Sequence, residues 1–239
     1  MSARTVIVNA LDPAGEQGLA IDVQAAFEAG ATDVMPIATS TLVDGVLRPA
    51  DPKVLAATLA AALERPVQAL LVGRLATSKV AGAIASALAH NLPETMVFAP
   101  GEFIPPRAWF AGSARRQQRA HFQTLTRECT VAVMTAKEAT AWLGNGDLGA
   151  EQAGEQLCSV GAYAAWIRDD TGSVRSLDHI VTGEHKAVLD YPGMPGTECG
   201  RIPGALTALL AGGLTLEEAV AGAQRHAACP STAGATACR

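Results

Sequence analysis

The sequence is poor in charge, and above all in clustered positive charge. Charged residues make up 17% of the 239 residues, and 18 Lys and Arg against 23 Asp and Glu give a formal net charge of -5. Binding to nucleic acid requires clustered cations along the phosphate backbone. The basic cluster of Arg115, Arg116 and Arg119 is short and typical of a solvated loop or helix face. We therefore expect no nucleic-acid partner.

The cysteine and histidine patterns that mark disulfide frameworks or zinc sites are also missing. The five cysteines are widely spaced without a C-x-x-C pair, and the five histidines show no H-x-x-x-H spacing. This usage favours a reducing compartment over a secreted disulfide scaffold or a zinc protein. No window offers the roughly 18 apolar residues of a membrane span, and Met1 leads directly into a strand-like segment. We expect a cytoplasmic protein without a membrane anchor.

Apolar material, by contrast, is abundant. Hydrophobic residues make up 49% of the chain, which is enough for a core and gives no bias towards disorder. Single α/β domains of this length can bury most of their unfolded surface. We predict one domain over residues 1–228, and the small, polar end at residues 229–239 is typical of a frayed tail.

Short apolar runs alternate with stretches of helical period. Residues 5–10 predict a strand, and residues 19–27 follow with apolar positions at helical spacing. The alternation predicts a mostly parallel sheet with helices on both faces, where ligands bind beyond the carboxyl ends of the strands. Residues 101–123 interrupt the pattern and could form a lid or an insertion. Further strands are predicted at 67–72, 96–99, 130–134 and 162–167, and further helices at 80–88, 205–211 and 216–227.

A distinctive motif follows the first predicted strand. Asp12, Pro13, Gly15, Gly18 and Asp22 match the D-P-S-G-G-x-G…D signature of hydroxymethylpyrimidine and phosphomethylpyrimidine kinases, in the same strand-loop-helix context. Asp, Pro and Gly also form ordinary turns for local reasons. The motif alone therefore leaves an ordinary turn as the alternative.

Three further landmarks follow in the family's order. Gly73 matches the glycine of K-I-G-M-L, and Glu138 and Ala139 match N-x-x-E-A-x-x-L-x-G. Residues 196–199 (G-T-E-C) stand where the family has G-T-G-C or G-A-G-C. The order and spacing of the landmarks make the likeness specific over residues 5–228. The chain resembles the hydroxymethylpyrimidine and phosphomethylpyrimidine kinases of thiamin synthesis. This resemblance implies a ribokinase-like three-layer α/β domain with a mostly parallel central sheet.

The resemblance also implies a reaction and a set of site residues. ATP, with magnesium, would donate its γ-phosphoryl group to the primary alcohol of a pyrimidine-like small molecule, and the family commonly forms homodimers. Cys199 would be the catalytic base, although a small buried thiol is an equal alternative. Glu138 would serve the metal. The anion-hole turn would contain Gly196, Thr197, Glu198 and Gly200, and the substrate would meet Asp12, Gly15, Val43, Gly73 and Arg74.

The departures from the family concern chemistry. Glu198 replaces the middle glycine of the anion-hole turn, and a carboxylate about 4 Å from a phosphate charge costs about 4 kcal/mol. Ala99 replaces an aspartate, and Thr135 replaces an asparagine, leaving Glu138 without its usual partner. On the substrate side, Val43 replaces a glutamine and Arg74 a methionine, which disfavours the usual ligand and favours an anion. A surface role for Arg74, paired with nearby carboxylates, is an equal alternative.

Three functions remain open from the sequence. The first is a divergent kinase-like protein whose phosphoryl transfer is weak or lost. The second is an active small-molecule kinase with a changed substrate, and the third is a non-catalytic regulatory or structural dimer. Fold analogy raises the expectation of a kinase, but the site must decide the function.

Overall fold

The computed structural model describes residues 3–13, 18–44, 46–101, 121, 123–144, 147–168, 175–192 and 200–228. Within these residues nine strands form one sheet: β1 (Arg4–Leu11), β2 (Asp33–Val43), β3 (Val46–Pro49), β4 (Ala69–Val72), β5 (Thr95–Phe98), β6 (Val131–Thr135), β7 (Ala164–Arg168), β8 (Arg175–Thr182) and β9 (Lys186–Pro192).

The helices lie between the strands and after them. They are α1 (Leu19–Glu28), α2 (Pro52–Leu63), α3 (Ser78–Leu88), α4 (Ala136–Leu143), α5 (Ala150–Ser159), α6 (Ile202–Ala211) and α7 (Leu216–Ala228). Residues 123–128 are also helical. No helix in the described part of the chain is long and apolar enough to cross a membrane.

The sheet is parallel in its centre and antiparallel at its edges. The strand order is β3-β2-β1-β4-β5-β6-β7-β8-β9. The strands from β2 to β7 in this order pair in parallel, whereas β3, β8 and β9 pair antiparallel. All the parallel strands therefore end at one edge of the sheet, which we call the carboxyl edge.

Alternation along the strands builds a core on each face. In β1, Val6 and Val8 face one core while Ile7 faces the other, because successive strand side chains point in opposite directions. The first core is covered by α2, α3, α4 and α5, and the second by α1, α6 and α7. The predicted three-layer α/β fold, with a mostly parallel sheet and helices on both faces, is confirmed.

The chain changes direction across the sheet at β1. From β1 it passes through α1 to β2 on one side, and it returns through α2 to β4 on the other side of β1. The two crossing helices lie on opposite faces. Open α/β sheets bind ligands at such a switch point, beyond the carboxyl ends of the two neighbouring strands, which are β1 and β4 here.

The elements predicted from apolar periodicity occur in the structure, with shifts of a few residues at their ends. The sequence pattern did not predict the β2–β3 hairpin, β8, β9, α2 or α5. The suggested lid at residues 101–123 falls mostly outside the described residues, and so does the predicted tail at 229–239.

Candidate functional site

The switch point is filled by one amide side chain. Asn9, near the end of β1, is buried and occupies the space beside Gly73, directly after β4. A Cβ atom on Gly73 would lie 2.2 Å from Cγ of Asn9, so no larger residue fits without displacing the amide. The Gly73 amide also donates to the Val8 carbonyl at 2.7 Å. Gly73 is therefore required by the close approach of Asn9.

Asn9 joins several elements through its hydrogen bonds. Its Oδ1 accepts from the backbone amides of Ala10 and Arg74, each at 2.7 Å. Its Nδ2 donates to Oδ2 of Asp22 in α1 at 2.5 Å. Thr39 in β2 donates from Oγ1 to the Arg74 carbonyl at 2.8 Å. We call Asn9, Asp22, Thr39, Gly73 and Arg74 the switch-point cluster.

Asp22 is the buried acid of this cluster. Its relative exposure is 1%, and burial raises its pKa from 3.8 to about 7, against the lowering effects of the Asn9 hydrogen bond, the Gly204 amide and the Arg74 charge. The Gly204 amide stabilises the charged form of the Asp22 carboxyl group. Oδ1 of Asp22 nevertheless makes no hydrogen bond of normal geometry among the described residues. Asp22 therefore holds its proton far more tightly than an exposed aspartate.

The other predicted substrate residues surround the same edge. Asp12 follows β1 and is half-buried, and Val43 lies half-buried at the end of β2. The Arg74 side chain extends towards the loop after β5, because a Cβ on Gly101 would lie 3.6 Å from its Nε. These residues share the carboxyl edge with the switch-point cluster, whereas Gly15 lies outside the described residues.

Glu138 has a local partner at the carboxyl end of β6. Its Oε2 accepts from the Thr135 amide at 2.7 Å, and Thr135 Oγ1 accepts from the Glu138 amide at 3.1 Å. This reciprocal pair is a capping box that starts α4. Thr135 therefore gives Glu138 a partner in place of the family's asparagine. We call the pair the β6 cap.

The family implies magnesium near Glu138, and the described residues do not fit that ion well. One Glu138 oxygen is committed to the β6 cap, and Ala99 supplies no carboxylate after β5. No group of three or more His, Cys, Asp or Glu side chains that could hold a metal occurs in the described ranges. Magnesium prefers several oxygen ligands. We derive no step through this metal.

The described part of the anion-hole turn is its last residue. Gly200 is exposed and leads through Arg201 into α6, whose first turn receives no side-chain cap. Amides at a helix start can stabilise an anion, but here Pro203 has no N–H and the Gly204 amide favours Asp22. Gly196, Thr197, Glu198 and Cys199 lie outside the described residues.

Sequence reasoning missed Asn9 and Thr39. The signal for Asn9 was an amide at the end of an otherwise apolar strand, where a polar side chain needs a partner. Thr39 carried no such signal, because threonine is common in strands. Its role depends on the position of Arg74 across the sheet.

The sheet order and the helices on both faces form a ribokinase-like three-layer α/β fold, and solved kinase structures share this fold. Pyridoxal kinase from Staphylococcus aureus in complex with pyridoxal is similar with a TM-score of 0.82 at 18% identity, over 95% of this chain and 87% of that chain. An ADP complex of Bacillus subtilis pyridoxal kinase gives a TM-score of 0.77 at 20% identity, over 94% of this chain and 90% of that chain.

The similarity extends to the family that the motifs indicated. Phosphomethylpyrimidine kinase from Clostridium difficile gives a TM-score of 0.74 at 17% identity, over 92% of this chain and 95% of that chain. Neither the protein-family models nor the curated proteins contain a match to the sequence. The predicted resemblance is thus confirmed as a shared fold with vitamin kinases.

Proposed function

We propose that this chain is a divergent relative of the hydroxymethylpyrimidine and phosphomethylpyrimidine kinases. It would bind a nucleotide and a small heterocyclic alcohol at the carboxyl edge, with weak or absent phosphoryl transfer. The observation that carries this proposal is the switch-point cluster, a buried polar network at the point where open α/β sheets bind ligands. Full-length likeness to kinases of pyridoxal and phosphomethylpyrimidine supports the ligand class.

The substrate half of the cleft supports ligand binding but not the family's usual contacts. Gly73 and Asp12 keep the residue types of the family motif, and the loops that carry them meet at one edge. Val43 offers no amide to an aminopyrimidine. Arg74 brings a guanidinium to this edge, and its peptide is held by Asn9 at one end and Thr39 at the other. This half therefore favours a ligand with an acceptor or an anionic group.

The phosphate half gives weaker support for binding than the substrate half. In the first turn of α6, Pro203 has no N–H and the Gly204 amide favours the Asp22 carboxylate, which leaves few amides for an anion. Glu198 would add a negative charge to the anion-hole turn that the resemblance implies at Gly196, Thr197 and Gly200, and this charge would oppose a transferring phosphoryl group. Cys199 matches the family's base, but a base alone does not restore transfer when the anion and metal are poorly held.

Calorimetry and an activity assay test this proposal. ATP should bind the wild-type protein weakly, with little change on adding magnesium, and phosphorylation of hydroxymethylpyrimidine or pyridoxal should be far below the ordinary kinase range of about 1–100 per second. Glu198→Gly should strengthen ATP binding, because it removes a like charge and frees the backbone. Turnover should recover little. Glu184→Gln, an exposed change on the β8–β9 turn, is the matched charge control.

An active kinase with a changed substrate is the second candidate, and Arg74 favours it. Hydrogen bonds hold both the backbone N–H and the carbonyl of Arg74, and its guanidinium is suited to binding a phosphorylated alcohol. If the protein phosphorylates phosphomethylpyrimidine or another anionic alcohol at an ordinary kinase rate, this second candidate replaces the proposal of weak phosphoryl transfer. Arg74→Met, which restores the family's residue type, should then lower the affinity for the anionic alcohol and raise that for the neutral one.

We also propose a homodimer. The family commonly pairs its subunits, and apolar side chains such as Leu177 in β8 and Val188 in β9 are 48% and 57% exposed. Light scattering should give about twice the chain mass of 24.5 kDa at micromolar concentration. A regulatory or structural dimer that binds neither ATP nor an alcohol would meet this expectation while contradicting the proposed ligands.

A further inference from the structure

Asp22 lies where three elements meet at the switch point. It belongs to α1, it bonds the side chain of Asn9 at the end of β1, and it adjoins Gly204 in the first turn of α6. A Cβ on Gly204 would lie 2.2 Å from the Asp22 carbonyl oxygen, so α1 and α6 touch through their backbones here. Through Asn9 the contact also extends to Arg74 after β4.

Asp22 holds the NH₂ end of Asn9. Its Oδ2 accepts from Nδ2 of Asn9, and the amide oxygen of Asn9 faces away from Asp22. That oxygen then accepts from the backbone amides of Ala10 and Arg74. The opposite orientation would set the NH₂ group against these two N–H donors. Asp22 is therefore linked through one side chain to the backbone of Ala10 near the end of β1 and of Arg74 after β4.

The arginines near Asp22 leave its side chain available for the hydrogen bond with Asn9. Arg74 acts on it from the end of β4. Arg201, at the start of α6, pairs instead with Glu28 at the end of α1. Asp22 is thus not committed to a salt bridge with α6, and the amide of Gly204 is the α6 group that favours its carboxylate.

We propose that Asp22 is a positioning residue for the candidate ligand cleft. It orients Asn9, which holds the Ala10 and Arg74 peptides in the substrate half. It also sets these two peptides against the first turn of α6 in the phosphate half. The ligands named here rest on the proposed function. The positioning itself is a property of the unliganded chain and is measurable without them.

The test compares an apolar and a conservative substitution. Asp22→Leu fills similar space without an acceptor, whereas Asp22→Asn retains an oxygen that can accept from Asn9. Asp51→Asn is the matched control, because Asp51 is an exposed carboxylate that caps α2, and asparagine caps a helix equally well. Amide hydrogen exchange is followed by NMR at Ala10 and Arg74, and the dissociation constants of ATP and hydroxymethylpyrimidine are measured by calorimetry.

Asp22→Leu should speed exchange at both amides and weaken hydroxymethylpyrimidine binding about tenfold or more. Asp22→Asn should restore slow exchange and most of the affinity, which simple loss of packing would not predict. Asp51→Asn should match the wild type. If Asp22→Leu does not fold, Asp22→Ala makes the same comparison. Failure of both to fold would show a folding requirement and overturn the positioning role.

Two results separate this inference from the proposed function. Wild-type protein that binds neither ATP nor hydroxymethylpyrimidine would overturn the function, while the exchange rates at Ala10 and Arg74 would still decide the positioning role. Unchanged exchange in the apolar variant would overturn the positioning role even in a protein that binds both ligands. Equal damage from Asp22→Asn and Asp22→Leu would also overturn it.

Discussion

The two halves of the carboxyl edge use their polar residues differently. In the switch-point cluster, hydrogen bonds join residues that are 13, 35 and 65 positions apart in the chain. In the β6 cap, the two bonds join residues that are 3 positions apart. Local bonds start a helix, whereas long-range bonds from buried side chains fix separate elements relative to one another. The switch-point cluster therefore holds several elements together at the candidate site, and the β6 cap supports the start of α4.

This difference bears on function because buried polar groups are expensive without partners. Asn9, Asp22 and Thr39 are buried, and each makes a hydrogen bond outside its own element. Apolar side chains at these positions would hold the same elements together without the cost of burying a carboxylate. A network of this kind is expected where a ligand needs fixed backbone donors and acceptors, which agrees with the proposal of ligand binding with weak or absent phosphoryl transfer.

The largest expected effect is the pH dependence that Asp22 gives to folding. Its pKa is about 7 in the folded protein against 3.8 ordinarily, so the folded state keeps a proton that the unfolded state releases. Stability should fall as the pH rises from about 4 to about 7 and then level off, by on the order of 4 kcal/mol for this one group.

Chemical denaturation of wild-type protein and Asp22→Asn at several pH values measures this contribution. Asparagine does not titrate, so its stability relative to wild type should grow with pH over that window. Other carboxylates titrate in both proteins and cancel in the difference. A constant difference from pH 4 to pH 7 would show that Asp22 titrates normally and that the cluster is less buried than described.

The next effect is the close contact between α1 and α6. In Gly204→Ala the new Cβ would lie 2.2 Å from the carbonyl oxygen and 2.6 Å from Cα of Asp22, and backbone atoms cannot rotate away. We expect a loss of about 3 kcal/mol in the free energy of unfolding, which exceeds the roughly 1 kcal/mol that alanine gains in a helix. Gly183→Ala meets nothing within 4 Å and is the control. A neutral Gly204→Ala would refute the contact.

Asn9→Ala tests the centre of the switch-point cluster. It leaves the Ala10 and Arg74 amides and the Asp22 carboxyl without the partner they share. We expect a loss of about 2–3 kcal/mol by thermal or urea denaturation, with faster amide exchange at Arg74. Asn91→Ala, on an exposed loop, should change stability by less than about 0.5 kcal/mol. Equal effects of the two substitutions would show that Asn9 contributes no more to stability than a residue of an exposed loop.

The sequence predicted the layers well because apolar periodicity is a local signal. Residues 5–10 form a short apolar run and residues 19–27 repeat apolar positions at helical spacing, and the structure contains β1 and α1 there. The antiparallel edge strands were missed since their residues are largely polar or exposed, as in β9. Such strands depend on pairing with a neighbour, which periodicity does not report.

The positions of the candidate site residues in the fold were predicted in part for the same reason. Motif spacing directed attention to Asp12, Gly73 and Arg74, which follow strands and share one edge. The reason for Gly73 was not visible in the sequence, because it depends on Asn9 in a strand 64 positions earlier. The importance of Thr39 likewise depends on a hydrogen bond across the sheet. Partners that meet only after folding carry no mark in local sequence.

The smallest expected effect concerns the β6 cap and decides whether Glu138 serves a metal. Thr135→Ala removes a helix cap and should cost about 1 kcal/mol, whereas Thr58→Ala, on the exposed side of α2, should be neutral or slightly stabilising. Glu138→Gln keeps the capping box, because glutamine also accepts from the amide of residue 135, so its stability should change by less than about 0.5 kcal/mol. The decisive measurement is ATP binding by Glu138→Gln with and without magnesium. If Glu138 only caps α4, the dissociation constants should agree with those of the wild type within about twofold, which corresponds to about 0.4 kcal/mol. A large loss of affinity that appears only when magnesium is present would identify Glu138 as a residue of a metal site and make the second half of the carboxyl edge functional as well.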